Sequence, residues 1–479
     1  MVEDLLRYVV NKGLESGASY VEARYQKDIH FAITSRNGAI LSIGHDVKEG
    51  IGIRVLLEGT LAFASTNILS KEAVEYSLNK AISRARASSK VMRNPIRFSE
   101  ERLGKVSYSV HAVKEFDYLS LDDKLNMHTE LWKIVSSSVK ETKIPVYFMN
   151  YVEHTQEKVI INSDGAYVRS LIPRVFIAAN IVCTHPQKGS VQTWVEFGAS
   201  GGLEWLNVWK VDKELKERTK VLEKILTKGV EPPKEKVDVV IGSEIVGLLV
   251  HESAGHPMEA DRILGREAAQ AGESYVKPYM IGKERIGTKY ATVIEDPTIP
   301  GSFGFYLYDD EGVPARPRHL YKEGIINEPL HNRATAYVFG TSSNASARAM
   351  DYKSEPIIRM SNTYLKPGDM SFEELIEDVK LGVFIKNYME WNIDDIRWNQ
   401  RYVGLEAYLI KNGELKKLVR NPVLEITTKG FYSKIVGVDK NLKFYPGTCG
   451  KGEPAQGVPV WFGGPNVRLS KIYLGVVRA

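Results

Sequence analysis

The sequence predicts an α+β fold of two domains, each mixing helices with a largely antiparallel or mixed sheet. Three observations predict it. Helical-period segments and hairpin-like strand pairs alternate irregularly, without the βαβ rhythm of a doubly wound sheet. The chain has 479 residues, enough for roughly two to four domains. The segment EPPKEK at 231–236 combines two prolines that stop the preceding helix with charges that suit a solvated linker. The expected division is therefore 1–230, a linker at 231–236, and 237–479.

The opening MVEDLLRYVV carries Leu5, Leu6, Val9, Val10 and Leu14 at helical spacing, closed by Gly13 and Gly17. Charged residues interrupt its apolar run, so it reads as a surface helix and not a secretory signal. From Ala18 to Thr66 the pattern is that of strands. Asn37-Gly38 suits the positive φ angles of a type I′ hairpin turn, and Glu58-Gly59 marks a second turn. Ser70 is a candidate N-cap for the next helix. A further helix is expected over 118–141, strands over 144–200 with a turn at Asp164-Gly165, and a charged helix over 210–228. The second half opens with a short strand at 237–241. A helix from near Ser243 follows, apolar on most sides and hence buried. Beyond it a helix near 371–382 and many short strands run to the C-terminus. Neither a short-period repeat nor a low-complexity tract is present.

Composition removes several classes. Apolar residues make up 43% and charged residues 26%, near the averages for globular proteins. No apolar run approaches the ~20 residues that span a bilayer, so no membrane partner is expected. The 64 basic and 59 acidic residues leave a surplus of only five, too diffuse to argue for nucleic acid. Two cysteines, Cys183 and Cys449, are too few for a disulfide framework. The cytoplasm is the expected compartment, and Cys183 reads as a small buried residue.

The strongest chemical signal is HESAGH at 251–256, in which His251 and His256 flank Glu252 at the end of the buried helix. The familiar zinc helix places its histidines at i and i+4, about 40° apart. Here they stand at i and i+5, about 140° apart on a regular helix. Both can face one metal only if the turn is distorted. Gly255, with its backbone freedom, and Pro257, which ends the helix, predict a widened or π-bulged last turn. The competing interpretation is a pair of imidazoles capping a helix C-terminus.

A catalytic zinc site needs a third protein ligand. Cys449, in the glycine-rich PGTCGKG, is the leading candidate. His₂Cys would leave a fourth position for water. His319, His331 and the run Asp309, Asp310, Glu311 compete with it, although Gly312 and Pro314 explain the run as a turn.

At this point the chain resembles the TldD/PmbA family of zinc metalloproteases, in its TldD-like branch that keeps the metal motif. The resemblance rests on LLVHESAGHPMEAD (248–261), DDEGVPARP (309–317), RMSNTYLKPG (359–368), EAYLIKNGE (406–414) and GTCGKGEPAQGVPVWFGGPNVRL (447–469), with GIGIRVLLEGTLAFASTN (50–67) in the first half. It implies one Zn2+ per chain held by His251, His256 and Cys449, with Glu252 as the general base that activates a zinc-bound water. It also implies small or unfolded peptides as substrates, and either a homodimer or a heterodimer with a PmbA/TldE-like subunit. Trp461 and Phe462 depart from the family pattern, standing where smaller residues are common, and would shape substrate preference if they line the cleft. Arg359 is a candidate donor to the oxyanion or to a substrate carboxylate, with a structural salt bridge as its competing role. Glu259 and Asp261 are candidates to orient the histidines. The alternative to an enzyme is a zinc-stabilised, non-catalytic protein that binds and modulates a partner, which would need a fourth protein ligand.

Overall fold

The structure is a computed structural model that describes residues 2–266, 273–452 and 454–476. In the N-terminal half a seven-stranded sheet runs in the order Thr60–Thr66, Ala39–Leu57, Tyr20–Arg36, Lys143–Asn162, Tyr167–His185, Lys105–Ser109, with Gly189–Ser200 paired to Tyr167–His185. Most neighbours are antiparallel, but Lys105–Ser109 pairs in parallel. Asn37 (φ 50) and Gly38 (φ 76), like Glu58 (φ 52) and Gly59 (φ 73), take the left-handed angles that tight hairpins need. Helices Val2–Glu15 and Lys71–Ser89 bury Leu6, Val9, Val74 and Leu78 against Val21, Ala23, Ile51 and Ile53. Ser70 caps the second of them through Ala73 N–H at 3.3 Å. A second pair, Leu121–Ser136 and Val211–Lys228, buries Leu131, Val135, Leu215 and Leu222 against Tyr147, Ile177 and Val195. The first of these is shorter than the expected 118–141. Ser120 and Asp123 form a capping box that fixes its start, and a strand already begins at Lys143.

The C-terminal half carries two six-stranded sheets, a four-stranded one and a two-stranded one among the described residues. One of the six-stranded sheets includes Val293–Glu295, Asn362–Leu365, Gln456–Gly464 and Lys443–Lys451 in that order. The other centres on Val237–Ile241 between Leu381–Ile385 and Val467–Ile472. Both mix parallel and antiparallel pairs. The helix expected over 371–382 is only Phe372–Ile376, and Leu381–Ile385 is a strand parallel to Val237–Ile241. The run Val383, Phe384, Ile385 is β-prone and fully covered by its neighbours, which outweighs any helical continuation. Helix Ser243–Val250 is buried almost throughout and packs on the Gln456–Gly464 strand. The contact is close enough that a Cβ on Gly247 would lie 2.8 Å from the Gly463 nitrogen.

The two halves meet through buried charges. Arg54 bridges Glu22 (2.6 Å) and Glu311 (2.8 Å), and Lys158 pairs with Asp310 (2.9 Å). The acidic run 309–311 does turn, at Gly312 (φ 81). It is not a solvated turn, however, because all three carboxylates are buried. Asp310 and Glu311 meet cations on strands more than 150 residues away, which local sequence does not reveal, while Asp309 accepts from the N–H groups of Glu311, Val313 and Ala347. Among the described residues no helix is long and apolar enough to cross a membrane.

Candidate metal centre

Helix Ser243–Val250 delivers His251 to the interior, and the next five residues, His251–Gly255, form a π-helical turn. The His256 N–H donates to the His251 carbonyl, the i→i+5 bond of that geometry. The extra residue in the turn brings two side chains five positions apart to one side. The imidazole centroids lie 5.1 Å apart, nearly perpendicular. Three tyrosines hold the turn at Ser253: Tyr275 (2.8 Å) and Tyr321 (3.0 Å) donate to its carbonyl, and the Tyr432 hydroxyl lies 2.8 Å from its Oγ. Gly255 sits at φ −55, ψ −66, so its conformational freedom is not what the turn uses. Its missing side chain is, because a Cβ there would run into Met360 Sδ.

Cys449 reaches the same place from the hairpin of Lys443–Lys451 with Gln456–Gly464. Its Sγ lies 3.6 Å from His256 Nε2. One ligand atom from each of His251, His256 and Cys449 falls within 4.8 Å of the others, and all three residues are buried. Zn–N and Zn–S bonds of about 2.0–2.1 and 2.3 Å at a tetrahedral angle put nitrogen and sulfur about 3.6 Å apart. The His256 Nε2–Cys449 Sγ separation thus matches that of two zinc ligands, and the three donors together could hold a metal ion. His251 Nδ1, moreover, is buried without a hydrogen-bond partner among the described residues.

Electrostatics prepare these groups as ligands. Burial lowers both histidine pKa values, against the opposing pull of nearby Glu252 and Glu259 for His251 and of Cys449 and Glu259 for His256. Burial thus favours the neutral imidazole, the form that offers a lone pair to a metal. Burial pushes the Cys449 thiol up, but His256 and Arg359 together pull it net below its usual value, toward thiolate. Glu259 accepts from His256 Nδ1 at 3.1 Å and leaves Nε2 facing Cys449. Burial alone would raise the Glu259 carboxyl, yet Lys451, His256 and Arg262 hold it well below the ordinary range. Asp261 does not touch a histidine; it binds Lys451 Nζ at 2.7 Å.

Glu252 is buried beside this cluster but outside it, and its Oε2 accepts from Arg397 Nη1 at 2.8 Å. Arg359 is wholly buried, and its terminal nitrogens donate to the carbonyls of Gln456 (3.0 Å) and Cys449. Both of these partners are main-chain oxygens, not a carboxylate or an open cleft. It thereby braces the hairpin that carries the sulfur. The Phe462 ring lies 6.2 Å from that of His251, and Trp461 Nε1 donates to the Gly198 carbonyl at 2.7 Å. Both aromatic residues line a cavity of about 360 Å³. The other candidates stay apart. His331 Nδ1 lies 3.1 Å from Thr335 Oγ1, and His319 sits on the strand Arg318–Lys322. Cys183 is buried in the N-terminal core with Sγ 3.2 Å from Thr142 Oγ1.

Sequence reading overlooked Arg397, Lys451 and the tyrosine trio. Lys451 had a signal, since it stands two residues after Cys449 and a strand presents such positions on one face. Arg397 and the tyrosines had none, because tertiary folding alone brings them to Glu252 and Ser253.

The models of all three domains of one family match in chain order: PmbA/TldA metallopeptidase domain 1 over residues 21–89, the central domain over 114–223, and the C-terminal domain over 234–475. A metalloprotease of Methanocaldococcus jannaschii is 31% identical over 467 residues, covering 96% of this chain and 97% of the relative. A zinc metalloprotease TldD homolog of Saccharolobus solfataricus is 26% identical over 470 residues, covering 97% and 98%. Among solved structures, one from Thermotoga maritima described as a modulator of a DNA gyrase superposes with a TM-score of 0.77 at 19% identity, covering 99% of this chain and all of that one. TldE from Thermococcus kodakarensis gives 0.74 at 15% identity, covering 98% and 100%. At those identities the structures speak for the fold.

Proposed function

The chain belongs to the PmbA/TldD family of metallopeptidases, and from that premise we propose that it is a zinc-dependent peptidase acting on small or unfolded peptides. His251, His256 and Cys449 would hold the zinc, and Glu252 would be the general base. The observation that carries the reading is the convergence of a sulfur from the C-terminal hairpin with two imidazoles of one π-turn. Among the described residues the cluster numbers three and not four, which favours a centre with an open position over a closed structural one.

Zinc supplies Lewis acidity toward a carbonyl and makes water more acidic. The protein's own groups do the rest. Glu259 fixes the His256 tautomer through Nδ1, and Arg359 holds the Cys449 carbonyl. Arg397 orients the Glu252 carboxylate, whose free oxygen takes a proton from water and can return it to the leaving amine. Burial of Glu252, His256, Glu259, Arg359 and Cys449, with Arg397 half-buried beside Glu252, limits the access of bulk water and strengthens each interaction.

We assign the organisation as an N-terminal domain to residue 230, a linker at 231–236 and a catalytic domain from 237. The assembly we propose is a dimer, with a second copy or with a TldE-like subunit. It is supported by the open edge of strand Ala39–Leu57, where Ile40, Leu41, Ile43 and Val47 are exposed beyond the reach of strand Thr60–Thr66. A non-catalytic, partner-modulating reading has the description of the Thermotoga neighbour in its favour. Glu252→Gln separates the two. Zinc content measured per chain should be stoichiometric in wild type and in Glu252→Gln and lost in Cys449→Ala. Peptide hydrolysis should vanish in both variants. Full hydrolysis by Glu252→Gln removes the base, and full zinc in Cys449→Ala removes the ligand set.

A further inference from the structure

The cavity lined by Trp461 and Phe462 lies between the strand Gly189–Ser200 of the N-terminal sheet and the strands Tyr388–Ile393 and Lys443–Lys451 of the C-terminal half. Phe462 is the wall it shares with His251. Its sides are stacked rings: Phe197 on Trp209 at 5.5 Å and Phe444 on Trp461 at 5.2 Å. Trp194, half exposed, stands at the mouth.

The same cavity holds an uncompensated acid. Glu196 is mostly buried, and no hydrogen bond or ion pair engages its carboxylate among the described residues. The cations nearby are engaged or peripheral. Arg218 pairs with Glu214 (3.0 Å) and Glu244 (2.9 Å), Lys386 with Glu406 (3.0 Å), and Lys443 is exposed. Burial, followed by the charge of Glu244, pushes the Glu196 carboxyl up to about 7. Such a group either takes up a proton or is held ionised by a ligand that brings the missing positive charge.

We propose that this cavity is a side-chain subsite for a basic residue of a peptide, arginine above all, with Glu196 as its counter-charge and the stacked rings as its walls. The aliphatic stem of arginine packs on aromatic surface, and its guanidinium binds a ring face and a carboxylate together. An acidic side chain would meet Glu196 and Glu244 as like charges. A neutral one would leave Glu196 buried and unpaired, the circumstance in which sites discriminate most strongly. About 360 Å³ accommodates one long side chain with its water.

The inference rests on the peptidase reading for the word peptide, but its test needs no catalysis. Binding of Nα-acetyl-arginine amide and of its neutral isostere Nα-acetyl-citrulline amide to the full-length, zinc-loaded protein is measured by isothermal titration calorimetry. The arginine compound should bind at least ten-fold more tightly, and Glu196→Gln should bring the ratio close to one. Equal binding in wild type, binding of neither compound, or a ratio that survives Glu196→Gln overturns the proposal. Should Glu196→Gln fail to fold, the wild-type ratio decides alone. Hydrolysis is scored separately on a peptide library. Selective binding without zinc-dependent hydrolysis sinks the peptidase reading and spares the subsite. Hydrolysis indifferent to basic residues at every position sinks the subsite and spares the peptidase.

Discussion

Replacing Gly255 by alanine tests how the two histidines come to face one metal. The added Cβ falls deep inside the contact radius of Met360 Sδ, with Cε at 3.3 Å and Cγ at 3.5 Å. Met360 is fully buried, so it can yield only by repacking its neighbours. Overpacking of this kind costs about 1–3 kcal/mol. Alanine also favours regular helix over glycine by about 1 kcal/mol. Both effects press the π-turn toward α register, in which positions 251 and 256 stand about 140° apart and one imidazole leaves the donor set. We therefore expect the metal-free protein to lose stability on that scale. Zinc affinity, read by competition with a chromophoric chelator, should fall by roughly ten- to hundred-fold or more, the scale of disturbed ligand support. The double variant Gly255→Ala, Met360→Ala removes the obstruction and should regain most of the affinity. Wild-type affinity in the single variant, or no recovery in the double one, would refute the account of the turn.

Arg397→Gln should lower kcat/KM roughly ten- to hundred-fold with zinc content unchanged, because Glu252 loses its orienting partner but no ligand is touched; loss of zinc would place Arg397 elsewhere in the design. Burial lowers the pKa of His128 and His331 from 6.5 to about 4. Their unfolded forms bind protons first on acidification, so stability is full above pH 6.5 and is lost as pH falls toward 4, by about 2 kcal/mol for each residue at pH 5. Thermal unfolding of the His128→Asn variant should fall less steeply than wild type between pH 7 and 5; parallel curves would contradict this. Leu41→Asp puts a charge on the exposed strand edge and should shift the sedimentation profile toward monomer; an unchanged profile moves the interface to another face.

How much was legible in the sequence varies with the range of the interaction responsible. The Asn37-Gly38 and Glu58-Gly59 hairpins, the Ser70 cap and the helix over Val211–Lys228 were readable because turn chemistry, capping and apolar period act within a few residues. The i,i+5 spacing of His251 and His256 was enough to require a widened turn. The reason for Gly255 was not readable, since Met360 lies over a hundred residues away and the glycine is needed for space and not for its φ. Residues 371–382 misled for the same reason: pairing with Val237–Ile241 overrode local preference beyond Ile376.

By itself the sequence determined the irregular mixture of helices and hairpins, the near-neutral charge, and which side chains carry metal-binding chemistry, because all of these are set by residue type and short-range spacing. Only the tertiary structure decided that Cys449 lies 3.6 Å from His256, that Arg397 meets Glu252, that the acidic run 309–311 is buried against Arg54 and Lys158, and that Glu196 faces a cavity with no cation engaged to it. Each of these joins segments far apart in the chain. Burial of the sheets and of helix Ser243–Val250 sets such juxtapositions, and no local pattern encodes them.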